Sequence, residues 1–526
     1  MPLTLDAKGA GDLERGDLAV VRTGRGRARV EQRLGPASKI ENVLEALLVE
    51  QGARRPFEPW DAPEPDPAGR VDLCELLTYT IDPDTAKDFD DALSFRREAD
   101  GIRAWVHIAD VSHFVRAGSP LDRGAAERAL STYVPGAVAP MLPHELADDL
   151  CSLRPHQDRL CVTVELAPDG SADFYRSVIR SDARLTYGQA ERREAPPAIL
   201  EAIELNDELA RELRARRFAR GALRVQTPEV AFRFDGEGGV ADAWLEGEPH
   251  AHMLVEELMI LANEQVASLL SSRRREALYR VHERPEPRDV EQLVAKLADL
   301  GVPTPPVPDP LSPQAAATLT GQISLRVADY ASQRGRGREA FPALVLRALK
   351  QARYDPRNLG HSGLASPAYG HFTSPIRRYP DLVVHRALLR ELGLGDDPPP
   401  SDLEAVAEHA SEREREAARV EHLADAICLA WLLERRLYED GWERPWDGEV
   451  IGLIGSGLFA RFGGVFEGFL PARRLTGEYY ELNALGTALV GRTTRRTYRL
   501  GDPIRVRVES IARSEGKVDL SLAGPS

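Results

Sequence analysis

The stretch Thr80 to Phe95, TIDPDTAKDFDDALSF, constrains this chain more than any other. It carries Asp82, Asp84, Asp88, Asp90 and Asp91 between two apolar segments, Leu76-Leu77-Thr78-Tyr79 before it and Leu93 with Phe95 after it. Segments of that kind enter a core, so carboxylates are drawn in with them. Two ionised carboxylates 4 Å apart repel by about 4 kcal/mol at an effective dielectric near 20. Several converging inside a fold therefore protonate, separate or enclose a cation. All-oxygen ligation favours Mg²⁺ or Mn²⁺ over zinc, which prefers His and Cys, and the cluster reads as a divalent metal site. In an extended segment Asp88 and Asp90 point one way and Asp91 the other, so a turn or bulge is expected to redirect one of them. Asp82 is expected to fold back across the Pro83 turn, and Asp84 to be a turn residue bonded to its own backbone. One alternative is an exposed acidic loop, against which the apolar flanks speak. Another is a phosphatase of the haloacid dehalogenase type, but YTIDPDTA offers Ala86 where Thr or Val is needed.

Carboxylate-held metals are suited to in-line displacement at phosphorus, where one activates water and another steadies the leaving oxygen. Such a site also needs a cation on the phosphate oxygens. The run HFTSPIRRYPDLVVHR supplies Arg377 and Arg378 behind a rigid Ser-Pro, and a guanidinium fork suits phosphate better than an ammonium.

A length of 526 residues implies two to four domains. No stretch approaches the roughly 20 apolar residues of a membrane span. The first residues have neither the basic nor the apolar region of a signal peptide, so no membrane partner and a cytoplasmic location are expected. Cys74, Cys151, Cys161 and Cys428 are too sparse for a disulfide framework and are expected to be buried thiols. A net charge of −15 argues against a polyanion partner, yet Ser324 to Arg386 holds eleven Arg or Lys against four Asp or Glu. GRTTRRTYRLGDPIRVRV near the end carries six arginines against one aspartate. Basic stretches on an acidic protein point to a focused polyanion track, with a solvated helix face as the alternative for either one.

The pattern divides into four parts. Residues 1–57 form a small unit with strand alternation and a helix from Ser38 to Gly52 with Ser38 as its cap. Residues 58–69 are a Pro-rich linker. Residues 70–440 mix strands with helices, read at Pro196 to Arg220, His250 to Leu270, Leu344 to Arg353, Pro380 to Leu392 and Asp402 to Tyr438, in an α+β arrangement. Residues 446–526 change to short strands with glycines at turn spacing, as in a five-stranded OB-fold barrel. Its candidate binding face holds Phe459, Phe462, Phe466 and Phe469 with Arg461, Arg473 and Arg474, and at least two of these phenylalanines are expected in the core.

Taken in order, TIDPDTAKDFDDALSF, VHIADVSHFV, TYVPGAVAPMLPHELADDLCSL, RLTY, HMLVEELMILAN, YRVHERPEP, LVLRALKQARY and HFTSPIRRYPDLVVHR resemble the ribonuclease II and ribonuclease R family of RNB-domain exoribonucleases. The resemblance implies a Mg²⁺-dependent (Mn²⁺ as the substitute) hydrolytic 3′→5′ exoribonuclease. It would be a monomer that threads single-stranded RNA processively, releases nucleoside 5′-monophosphates and makes some progress into structured RNA. It implies Asp82, Asp88 and Asp91 as metal ligands, Asp90 as the aspartate of the catalytic step and Arg377 on the scissile phosphate. It also implies Tyr133 stacked on a base near the 3′ end, Glu421 near that end, and RNA contacts from Arg378 and Arg284. The C-terminal barrel would be an RNA-binding domain of the ribosomal protein S-one type. Two departures stand out. Residues 1–57 are too short for the usual pair of cold-shock barrels, so a helical or winged-helix RNA-binding element is expected there. Arg284-Pro285 also occupies the place of a base-clamping phenylalanine, which puts the length of the end product in question. His107, Asp110 and His113 have ligand-like spacing and are expected to be structural. The alternative function is an RNA-binding protein that keeps the fold without catalysis.

Overall fold

The computed structural model describes residues 4–5, 13–24, 27–225, 229–247, 250–475 and 477–523. Its centre is a seven-stranded mixed sheet built from β3 (Val71–Asp72), β4 (Tyr79–Asp82), β5 (Asp91–Glu98), β6 (Gly101–Ala109), β7 (Asp158–Leu166), β8 (Ala172–Arg180) and β9 (Ala183–Thr186), after β1 (Asp17–Gly24) and β2 (Arg27–Pro36) of the N-terminal hairpin. The order across the sheet is β9-β4-β5-β6-β7-β8-β3. Antiparallel pairing runs from β4 through β8, and the short edge strands β9 and β3 join in parallel. Strands such as β6, GIRAWVHIA, are nearly continuously buried because helices cover them. Helix α1 (Ile40–Glu50) precedes the sheet in sequence. Helices α2 (Pro197–Ala219), α3 (His250–Ser272) and α4 (Tyr379–Glu391) add their apolar residues to the sheet's core.

Helix α5 (Leu403–Asp440) leads into strands β10 (Trp446–Ile454), β11 (Gly457–Phe462), β12 (Phe466–Pro471), β13 (Pro503–Ala512) and β14 (Lys517–Leu522), which close into a barrel in the order β10-β11-β12-β14-β13. Phe462 and Phe466 are buried inside it, whereas Phe459 is 39% exposed and lies 5.0 Å from the Phe469 ring.

Several details differ from the sequence expectation. The described part of residues 1–57 is a β-hairpin followed by one helix, with Thr4–Leu5 added in parallel at the edge of the sheet, not a winged helix. Lys39, not Ser38, is the N-cap of α1, and no side chain caps it; the helix start is held instead by the Ile40 N–H donating to the Gly238 carbonyl at 3.0 Å. Ile40, Leu44, Leu47 and Leu48 belong to one apolar cluster with Ile427 of α5 and Val450 of the barrel, so this unit shares its core with distant elements. The helix expected from Leu344 to Arg353 runs instead over Ala340–Arg347, because Arg353–Asp355 pairs as a strand with Tyr279–Val281. Helices at Pro287–Asp299 and Pro313–Arg334 carry no counterpart in the sequence reading. All four cysteines are free, three of them buried and Cys74 half-buried.

The His107 group is structural. Thr78, Ser94, His107, Thr163 and Ser177 form one buried chain of polar contacts across the sheet at 2.8, 3.1, 2.9 and 2.6 Å. Burial lowers the His107 pKa to about 3, so the ring is neutral. Asp110, fully buried, binds Arg70 at 2.8 Å and Arg176 at 3.1 Å, and His113 Nε2 contacts the Glu64 carbonyl at 2.9 Å. Replacing Asp110 with Ala leaves two arginines facing an apolar interior. A loss of about 3–5 kcal/mol is expected, measured as the change in denaturant midpoint at constant slope.

Candidate active site

The carboxylates lie where two neighbouring strands meet their connecting loop. Asp82 ends β4, Asp91 opens β5, and the two strands are antiparallel partners at Tyr79 and Leu93. Residues 86–90 adopt no regular structure, so strand alternation does not govern Asp88 and Asp90. The loop is held from three sides. Ser152 Oγ donates to the Lys87 carbonyl at 2.6 Å and accepts the Phe89 N–H at 3.0 Å. Arg184 of β9 donates to the Pro83 carbonyl at 2.5 Å and lies 5.4 Å over the Phe89 ring. The Ala109 N–H donates to the Asp90 carbonyl at 2.9 Å. Asp84 is exposed on a turn closed by the Ala86 N–H and the Pro83 carbonyl at 3.1 Å. Its side chain makes no hydrogen bond to a described residue, so the expected side-chain-to-backbone bond is absent.

Asp90 is the most constrained of the group, 4% exposed, with Oδ1 accepting the Ile376 N–H at 2.8 Å. Its Oδ2 has no hydrogen-bond partner and faces Arg377 Nε at 3.7 Å. Burial pushes its pKa well above the ordinary value; Arg377 opposes the shift and Asp88 and Asp91 add to it. Asp91 is raised to about 7 by burial and then by Asp82, against Arg377 and Arg378. Asp82 is raised to about 6, chiefly by burial, with Arg184 and Arg377 opposing and Asp88 reinforcing. Asp82 Oδ2 is also buried without a partner. The four carboxylates thus act on one another as one cluster, with Arg377 as the shared cation.

Tyr133 reaches the cluster from the short strand Thr132–Val134. Its hydroxyl donates to Asp88 Oδ2 at 2.7 Å, and its N–H donates to Glu421 Oε1 of α5 at 2.9 Å. Burial raises both the Tyr133 phenol and the Glu421 carboxyl. At 38% exposure, the residue keeps an open surface while its polar end is fixed.

The turn that presents Arg377 is clamped from behind. Asp381, fully buried in the first turn of α4, accepts from the Ser374 N–H at 2.8 Å and from Arg378 Nε and Nη2 at 2.9 and 2.7 Å. Ser374 Oγ in turn accepts from Arg377 Nη2 at 3.3 Å, and the Ser131 N–H donates to the Arg377 carbonyl at 3.0 Å. The Arg377 side chain remains 48% exposed. Arg378, which the resemblance places on RNA, instead commits its guanidinium to Asp381 and is part of the clamp. Arg284 is exposed on the loop after Tyr279–Val281 and makes no ion pair or hydrogen bond to a described residue. The sequence reading assigned no role to Tyr187 or Asp381. Tyr187 opens a short helix behind the Thr186–Gln189 capping box, and its phenol is raised by burial, Asp91 and Asp82, which places it beside the cluster. The capping-box spacing in RLTYGQ was the available signal.

The donors are all oxygens, and two of them, Asp82 Oδ2 and Asp90 Oδ2, are buried and unpartnered, which fits a hard divalent cation in chemistry and charge. Among the described residues no three His, Cys, Asp or Glu side chains already stand in a ligating arrangement, so the fit is that of a cluster an ion would draw together.

The RNB domain model matches residues 70–393, more than half of the chain, and the chain belongs to the RNB-domain family with its mixed α+β fold. Ribonuclease R of Escherichia coli is 35% identical over 490 residues, covering 88% of this chain and 58% of that protein. The chain therefore spans under two thirds of that relative's length. Mycoplasma genitalium RNase R in complex with ribose-methylated single-stranded RNA has a TM-score of 0.87 at 24% identity, over 99% of this chain and 85% of that one. Its complex with double-stranded RNA has a TM-score of 0.81 at 24% identity, over 99% and 91%.

Raised carboxylates bind more protons folded than unfolded, so their contribution to stability is present at low pH and lost as pH rises through about 6 for Asp82 and about 7 for Asp91. In chelator the protein is expected to melt higher at pH 5 than at pH 8, and added Mg²⁺ is expected to narrow the gap. Asp91→Asn should raise the melting temperature at pH 8 in chelator, as scanning calorimetry would show.

Proposed function

We propose that this chain is a hydrolytic 3′→5′ exoribonuclease, using Mg²⁺ or Mn²⁺, that degrades single-stranded RNA processively to nucleoside 5′-monophosphates and makes partial progress into structured RNA. The observation that carries this reading is the convergence of Asp82, Asp88, Asp90 and Asp91 on Arg377, with unpartnered oxygens on Asp82 and Asp90. Its support is the family membership and the likeness to ribonuclease R proteins, one of them solved with single-stranded and with double-stranded RNA.

In this reading Asp82, Asp88 and Asp91 hold the cation, which when bound neutralises their charge and activates water. Asp90, oriented by the Ile376 N–H, keeps Oδ2 free to take the water proton. Arg377 holds the scissile phosphate. Water oxygen bonds to phosphorus as the bond to O3′ breaks, so the shortened RNA keeps a 3′-hydroxyl and the released nucleotide keeps its 5′-phosphate. Tyr133 supplies a face for base stacking, worth about 1–3 kcal/mol without sequence preference, and Glu421 fixes its backbone. Arg284 is an exposed candidate for the RNA beyond the tyrosine.

The organisation proposed with it is a catalytic unit at 70–440, an OB-type RNA-binding barrel at 446–526 and an accessory RNA-binding element at 1–57 behind the linker at 58–69. The closed five-stranded barrel with exposed Phe459 supports the second of these. Cluster and arginine come from one chain, which supports a working monomer, and four free thiols agree with a cytoplasmic location. Retention of all four aspartates and Arg377 argues against a binding protein without catalysis.

With 5′-labelled single-stranded RNA and Mg²⁺, a ladder shortening from the 3′ end is expected, abolished by Asp90→Asn. Bound but intact RNA would overturn the assignment. Asp381→Asn should slow turnover about 10- to 100-fold by releasing the Arg377 turn. If Asp381 acts through Arg377, the substitution should cost nothing further in an Arg377→Ala background. Additive losses would show that it acts elsewhere.

A further inference from the structure

Ahead of the Arg377 turn, residues 369–374 adopt neither helix nor strand, although Phe372 is fully buried. A buried peptide outside regular structure has to find its hydrogen bonds elsewhere. Phe372 finds both on side chains from two different helices. Its N–H donates to Asn263 Oδ1 of α3 at 2.7 Å, and its carbonyl accepts from His385 Nε2 of α4 at 2.8 Å.

Neither side chain is what the apolar pattern of its helix calls for. Asn263 lies among the buried Ile260, Ala262 and Val266, and His385 between the buried Val384 and Leu388. A buried amide or imidazole in such a stripe costs free energy unless it is hydrogen-bonded, and both are directed at the same residue. The Phe372 N–H requires an oxygen opposite it, which fixes the Asn263 amide, and Asn263 Nδ2 then donates to the Tyr369 hydroxyl at 3.2 Å. The carbonyl partner of His385 likewise places the proton on Nε2. Burial lowers the His385 pKa to about 4, so the ring is neutral, and it stacks on the Phe372 ring at 4.1 Å with the planes 17° apart. Its Nδ1 is buried without a partner, a cost that a residue serving only to fill space would not carry.

Phe372 stands two residues before Ser374 and five before Arg377. Asp381 holds the Ser374 N–H and gives the turn one fixed point, about which it can still swing. The doubly held Phe372 supplies a second fixed point and so a direction. From there Ser374 Oγ meets Arg377 Nη2, and the Ile376 N–H meets Asp90 Oδ1. We infer that Asn263 and His385 are positioning residues for Arg377: fully buried behind the cleft, they hold the backbone that aims its guanidinium at the scissile phosphate. The inference rests on the function proposed for that cleft.

The test is steady-state turnover of a short single-stranded oligoribonucleotide with Mg²⁺ by the full chain, together with the Kd of the same RNA in chelator. His385→Phe keeps the stack on Phe372 and the ring volume but removes the Nε2 donor, and Asn263→Leu removes the acceptor at nearly the same size. Each is expected to lower kcat about 10- to 100-fold, with KM and the Kd in chelator unchanged. His385→Gln, which returns an N–H donor, should recover most of the loss. In an Arg377→Ala background neither substitution should lower the residual kcat further, whereas a residue that only stabilises the fold would cost the same in both backgrounds. Equal losses with and without Arg377, or an unchanged kcat in the two variants, would overturn the assignment, and His385→Phe decides it alone should Asn263→Leu not fold. A wild-type chain that degrades no RNA overturns the proposed function and the positioning role with it; an active wild type with uncoupled variants overturns the positioning role alone.

Discussion

Mutual repulsion among four carboxylates is the constraint around which the centre of this protein is arranged. Burial and neighbouring charge raise Asp82, Asp90 and Asp91 together, so the fold holds these groups in their less favourable setting. What opposes their separation is mostly backbone. The Ile376 N–H fixes Asp90 from one segment, the Ala109 N–H fixes its carbonyl from β6, and Ser152 and Arg184 pin the loop before it. Across the central sheet a chain of contacts through His107 satisfies the buried hydroxyls of Thr78, Ser94, Thr163 and Ser177. Strain of this kind belongs to a site that works with a cation.

Much of the site was legible in the sequence because aspartates between apolar segments have few physical explanations. Asp82, Asp88, Asp90 and Asp91 converge, and Tyr133, Glu421 and Arg377 join them, although Tyr133 lies 45 residues from Asp88 and Glu421 lies 288 residues from Tyr133. Ordered similarity to known motifs, not periodicity, connected those distant segments. What remained illegible was the assignment of neighbouring charges. Arg377 and Arg378 are adjacent and chemically identical, and only the position of Asp381, which captures Arg378, distinguishes the free guanidinium from the clamped one. Asp84 and Asp88 differ likewise: a backbone-closed turn leaves the first in solvent, while the Tyr133 hydroxyl takes the second.

The two helices without a counterpart in the sequence expectation differ in kind: Pro287–Asp299 buries Val290, Leu293 and Leu297 at helical spacing, so its pattern is legible in the sequence. Helix Pro313–Arg334 buries Leu319, Ile323 and Val327 together with the small or polar residues Ala316, Thr320, Gly321 and Ser324, which dilute its apolar signal. Gly321 packs so closely on the Gly221 carbonyl that an added Cβ would lie 2.4 Å from it. The N-terminal helix is strongly patterned and legible in the sequence, whereas its partners are not, since Ile40 and Leu44 share their apolar cluster with residues of α5 and the barrel that lie hundreds of positions later. Periodicity shows that a face is buried and is silent on what covers it.

Helix α5 explains why these parts act together. Its 38 residues extend about 57 Å at 1.5 Å each, and its side chains engage a different element at each level. Ser411 accepts the Tyr354 N–H, Glu414 pairs with Arg280, Glu421 holds Tyr133, Arg436 pairs with Asp242, and Glu434 pairs with Arg513 at the barrel. Buried positions on several faces account for its weak amphipathic pattern, which reads in sequence as a merely charged stretch. Because Glu421 fixes the backbone of Tyr133 and the Tyr133 hydroxyl fixes Asp88, the barrel end of α5 is joined to the carboxylate cluster by a continuous run of hydrogen-bonded and packed groups. On the barrel side Glu449 accepts the N–H groups of Gly337, Arg338 and Ala340, which ties β10 to the helical layer independently of α5. Two separate attachments fix a body far better than one, so the barrel is held in a set orientation to the carboxylate cluster.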